Sequence, residues 1–191
     1  MLRSYRLNVR PLIAFAFWIP VLSVVSLHGQ PVLDSFDPNV NGTVRAIAVQ
    51  PDGKIIIGGD FTSVGGSNYA SLARLHRDGT VDASFTNRAV TNVLSLALQA
   101  DGKILVGREF AMIRVNIDGT RDTSYGLLLS QTNISTIIVQ PDGRALASRQ
   151  GFTFRLNENG TLSFSVQQGN PVMALQADGK IVFRGNYWGR Y

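Results

Sequence analysis

The sequence predicts an all-β fold of tandem β-propeller-like blades, about four units with the last incomplete, behind an N-terminal signal peptide. Three observations predict it: a basic, then apolar leader; two short Gly-turn motifs that recur in register; and flanking apolar runs too short for helices.

The leader comes first. Arg3, Arg6 and Arg10 open the chain, an uncharged and mostly apolar stretch runs from Leu12 to Leu27, and His28-Gly29-Gln30 follows. That is the order of a secretory signal peptide, with cleavage expected after Gly29. The alternative is an uncleaved membrane anchor, but the stretch falls a little short of the roughly 20 residues a spanning helix needs, and Pro20 interrupts it. The expected division is 1–29 signal peptide and 30–191 repeat domain, in units of roughly 33–80, 81–120, 121–161 and 162–191. The expected location is secreted, cell surface or periplasm.

Composition narrows the partners. Hydrophobic residues make up 45% of the chain and charged residues 16%, which suits a packed core better than a disordered chain. The formal charge is +5, but three of those charges lie in the leader, and no Lys/Arg run tracks a phosphate backbone. Nucleic acid is therefore not an expected partner. There is no cysteine, which removes disulfides, thiolate chemistry and Cys-based zinc sites.

The repeat decides the architecture. Val44–Lys54, Val93–Lys103, Ser135–Arg144 and Val172–Lys180 share Gln, then Pro or Ala, then Asp-Gly, then Lys or Arg. The Asp falls at 52, 101, 142 and 178, giving spacings of 49, 41 and 36 residues, in the range of propeller blades. A second motif lies between: Ala73–Thr80, Ile113–Thr120 and Phe154–Thr161, each with Arg second and Asp-Gly-Thr or Asn-Gly-Thr last. Tails Asp82-Ala-Ser-Phe85 and Asp122-Thr-Ser-Tyr125 follow two of them, and Asp34-Ser35-Phe36 resembles a shortened copy. Asp-Gly between apolar runs marks a hairpin. Runs such as Ile55-Ile56-Ile57 are apolar on both faces, as strands buried on both sides are, whereas Leu72–His76 and Phe154–Asn157 are mixed and expected to be half-exposed. Each unit should supply three to four strands and bury its faces only by stacking on the next. The first unit is longest because Thr62–Ala70 adds a Gly/Ser loop.

The segments Gln50–Phe61 (QPDGKIIIGGDF) and Leu72–Phe85 (LARLHRDGTVDASF) resemble the delta-60 repeat of bacterial secreted proteins, which is similar to propeller blades. The resemblance covers roughly residues 33–187. It implies architecture and export but no known reaction. The third copy lacks the Gly-Gly-Asp-Phe segment and the fourth lacks the second motif. Either Asp34-Ser35-Phe36 helps to close a small ring, or further blades or self-association cover an open edge.

Candidate chemistry is sparse. Asn116, Asp118 and Asp122 space oxygen donors around a Gly turn, as acidic calcium loops do, which makes them the candidate metal ligands; the competing reading is a self-capped turn. No other cofactor is expected. Arg74, Arg114 and Arg155 recur at one position and could ring an anion or pair with acids such as Asp82 and Asp122. Asp60 and Glu109 align as carboxylates, and acid–base work would require them to meet in one pocket. His76 is the only histidine after the leader, and no Gly-x-Ser-x-Gly elbow occurs. Tyr187, Trp188 and Tyr191 form an aromatic cluster suited to packing or sugar stacking. Three glycosylation sequons, at Asn41, Asn133 and Asn159, carry meaning only in a eukaryotic secretory pathway. The expected function is a non-enzymatic, exported interaction or surface scaffold for a protein or glycan ligand, with Thr62–Ala70 the longest loop. The alternatives are a secreted carbohydrate-active enzyme or a calcium-stabilised binding module.

Overall fold

A computed structural model describes residues 36–86, 90–126, 133–149, 151–167, 173–176 and 181–183. The leader, Asp34-Ser35 and the Tyr187/Trp188/Tyr191 cluster lie outside the described residues. Every regular element among those described is a strand.

The strands form successive antiparallel sheets. The first blade is β1 (Thr43–Val49), β2 (Ile55–Asp60) and β5 (Leu72–Leu75), with a small side hairpin of β3 (Ser63–Val64) and β4 (Ser67–Asn68) in the β2–β5 connection. The second is β6 (Val93–Leu98), β7 (Ile104–Arg108) and β8 (Met112–Val115). The third has four strands, β9 (Thr136–Val139), β10 (Ala145–Arg149), β11 (Phe152–Leu156) and β12 (Leu162–Gln167). A fourth unit contributes β13 (Met173–Leu175) paired with β14 (Ile181–Phe183). Up-and-down order follows from the short turns, since each strand can reach only its sequence neighbour.

Both repeat motifs form one turn. Gly53 N–H bonds the Gln50 carbonyl, Gln50 N–H bonds the Lys54 carbonyl, and Lys54 N–H bonds the Asp52 carboxylate. His76–Thr80 repeats this bond for bond. Only the glycine takes positive φ, +83° at Gly53 and +87° at Gly79. Asp52 therefore needs no tolerance of that region. Its role is to cap the turn, while Pro51 holds the φ that the first corner wants.

The core lies between sheets. Ile56 and Leu72 of the first blade pack with Val93, Ile104, Val106, Ile113 and Val115 of the second. Leu105 and Met112 of the second pack with Ile137, Ala145, Ala147 and Phe154 of the third. Small residues let the sheets close up: a side chain at Gly58 would strike Val93 and Leu96, and one at Gly107 would strike Ile134. Val93 and Ile134 occupy the same repeat position, so each blade lays one aliphatic over its predecessor's glycine.

One expectation changes: β5 is buried throughout rather than half-exposed, as is the matching β8, whereas Phe154–Asn157 is mixed as expected, with Arg155 and Asn157 half-buried. In β5, Leu72 and the tail residue Phe85 join the cluster shared with the second blade, while Ala73 and Leu75 join the cluster of Phe61 and Val64. In β8, Ile113 and Val115 join the first cluster and Met112 the one shared with the third blade. The strand count also varies for a reason. In the first two blades, one bridge (Leu75–Val81, Val115–Arg121) precedes the tail. Then Asp82 and Asp122 turn the chain inward, each carboxylate accepting Ser84 or Ser124 N–H and O–H. The third blade has Ser163 where the tail Asp would stand, and β12 runs on as a full fourth strand.

Candidate functional site

The recurring arginines are best read from their bonds. Arg74 Nε donates to Asp82 Oδ2 at 2.8 Å, and Lys54 Nζ donates to the same oxygen at 2.8 Å. Arg74 Nη1 crosses the blade boundary to the Ile117 carbonyl at 2.7 Å. The second blade repeats all of this: Arg114 and Lys103 hold Asp122, and Arg114 Nη1 reaches the Glu158 carbonyl at 2.8 Å. Each guanidinium also lies over its tail aromatic, Phe85 or Tyr125. Burial works against ionisation of Asp82, but bonds from Lys54 and Ser84 and the charge of Arg74 outweigh it and hold its carboxyl far below the usual range. For Asp122 the Lys103 bond leads, followed by Ser124, and they prevail over burial. These arginines fasten blades together. Arg155, whose tail carboxylate is missing, turns to Gln140 Oε1 at 2.8 Å and Asp142 at 3.3 Å.

The same bonds occupy the calcium candidates. Asp118 Oδ1 accepts both Thr120 N–H and Thr120 O–H, which lower its pKa from the ordinary value. Asn116 donates to Thr120 Oγ1, and both Asp122 oxygens are engaged as above. Among the described residues there is no cluster of three or more His, Cys, Asp or Glu side chains suited to a metal ion.

The carboxylates aligned by sequence do not share partners. Asp60 is ion-paired with Arg45 on the first blade. Glu109 accepts Asn92 Nδ2 at 2.6 Å at the junction of the first and second blades.

That junction has further features. It lies at the end of the blades opposite the Gly turns, where the β2–β5 and β7–β8 connections emerge. Phe110, Glu109 and Ala111 line a concavity there with Thr91, Asn92 and Arg108. Arg108 donates to the Thr91 carbonyl and Oγ1. Burial, and then the charge of Arg121, lower the Arg108 pKa from its ordinary value. Phe110 is 62% exposed, while Phe61 at the same repeat position is 3% exposed. The difference is the β3–β4 hairpin: Val64 and Tyr69 pack in the cluster around Phe61, and the second blade has no such insertion over Phe110. Two non-glycine residues with positive φ meet here, Ser71 (62°) and Asn92 (52°), joined by a bond from Asn92 N–H to Ser71 Oγ. Backbone held in this region costs about 1–3 kcal/mol per residue and collects at functional sites. Sequence reasoning passed over Phe110. The available signal was its alignment with Phe61 without the hairpin that follows Phe61.

The family described as Domain of unknown function (DUF5122) beta-propeller matches residues 50–85 and 99–125, about a third of the chain. Solved structures align over more of it. The chain is a β-propeller repeat protein. Virginiamycin B lyase from Staphylococcus aureus resembles this propeller chain with TM-score 0.59 and 17% identity, over 78% of this chain and 52% of that one. A protein of unknown function from Bacteroides caccae gives TM-score 0.52 and 18% identity, over 72% and 51%. The extracellular domain of a putative one component system from B. thetaiotaomicron gives 0.54 and 16%, over 76% and 20%. At these identities the likeness is one of fold. The propeller chain spans about half the length of the first two structures. No curated protein matches it.

Proposed function

We propose that this chain is an exported, non-enzymatic propeller scaffold of the delta-60 repeat kind, and that it holds a protein or glycan ligand at the connection-bearing end of its first two blades. The observation that supports this is the uncovered Phe110 beside Glu109, Asn92 and Arg108. An aromatic ring left in water costs stability unless a partner covers it, and aromatic and Arg side chains carry most binding hot spots. The β3–β4 hairpin stands in the equivalent connection of the first blade. Export rests on the residue pattern of the leader, and extracellular domains among proteins of this fold agree with it.

The experiment is a pull-down from a panel of insoluble polysaccharides and cell-surface proteins, with the wild type, Phe110→Ala and a deletion of 62–70. Phe110→Ala should lower retention at least tenfold without moving the melting temperature. Retention unchanged by both variants would remove the assignment. Turnover of any panel glycan, lost on changing Glu109, would make it an enzyme instead.

A further inference from the structure

We infer that the face of β1 turned away from the second blade is a docking seat for a second copy of this chain. Three pairs of residues, at the same two repeat positions, make the case. Leu96 and Leu98 of β6 pack back against the first blade. Ile137 and Val139 of β9 pack back against the second. Ile47 and Val49 are the equivalent residues of β1, counted from the shared Gln, and they stand 64% and 63% exposed. Register keeps them on the face of Ile57 and Ile55, their partners on β2. Phe36, Val40, Val64 and Tyr69 cover the outer part of that face; the inner strand is uncovered.

The matching half of the contact lies on the fourth unit. Each seated pair meets the front of the preceding blade at an alanine and its cross-strand aliphatic: Ala48 opposite Ile56, then Ala97 opposite Leu105. Ala174 opposite Val182 repeats that pairing, and Ala174 is exposed. The described residues thus present, on β1 and on β13, the two halves of one interface that the chain already builds internally. A head-to-tail contact of this kind is satisfied by another copy, and two such contacts close a pair.

The test is the mass of the purified chain by light scattering at micromolar concentration. Wild type should have twice the chain mass. Ile47→Lys/Val49→Lys blocks the seat and Ala174→Arg blocks the front, and each should halve the mass. A wild-type strand signal by circular dichroism in each variant shows that both still fold. A monomeric wild type, a larger open oligomer, or a dimer indifferent to these variants would each overturn the inference.

Discussion

Asp82 carries three jobs in one carboxylate: it neutralises two cations, caps its own tail turn and fixes the arginine that crosses to the next blade. Removing one member of a buried pair leaves an uncompensated charge, so Asp82→Ala should cost about 3 kcal/mol in urea unfolding. Because its folded pKa lies below the unfolded one, the unfolded chain binds more protons in acid. The stability from Asp82 and Asp122 is complete above about pH 5 and drains as pH falls below the unfolded Asp value of about 4. The Asp82→Asn/Asp122→Asn variant should show a flatter loss of stability over that acid range. Tyr125 tells a smaller story. Burial, opposed by the charge of Arg114, pushes its hydroxyl up to about 12, and that oxygen has no hydrogen-bond partner among the described residues. Phe85 fills the same position in the first blade. Tyr125→Phe should therefore be neutral or stabilise by up to about 1 kcal/mol, read from the melting curve.

At the scale of the element, the turns were legible and the tails were not. Asp-Gly flanked by apolar runs announces a hairpin because only glycine adopts the required φ cheaply. Nothing so local reveals that Asp82 and Asp122 end the sheet. That depends on Arg74 and Arg114, eight residues earlier, being placed to receive them. The pairing of Arg74 with Asp82 and of Arg114 with Asp122 was among the readings the sequence offered, but the burial of β5 was not, because it depends on clusters shared with other segments. Turn glycines also differ in what surrounds them. A methyl on Gly119 would lie 2.8 Å from Thr86 N and 3.1 Å from the Phe85 ring, whereas one on Gly66 would meet nothing within 4 Å. Both have positive φ. Gly119→Ala should destabilise by about 2 kcal/mol, and Gly66→Ala by about half that; paired denaturation curves check the difference.

For the whole molecule, stability belongs to the junctions. The main apolar clusters draw on adjacent sheets, so a sheet taken alone exposes what its neighbours cover. Residues 36–86 expressed alone should be unfolded by circular dichroism, while the chain through the third blade should melt cooperatively. The blade-length spacing made this stacking legible from sequence. The uncovered Phe110 was not, because its exposure comes from the missing counterpart of a hairpin, and only the fold shows that the first blade's hairpin covers Phe61.

Arg74 and Arg114 reach across their junctions to main-chain oxygens, of Ile117 in one case and Glu158 in the other. A rivet driven into backbone does not ask which side chain is present. The joint can survive drift at the site it grips, so duplicated units could diverge at their margins, or be added and removed whole, without any new fastening having to evolve.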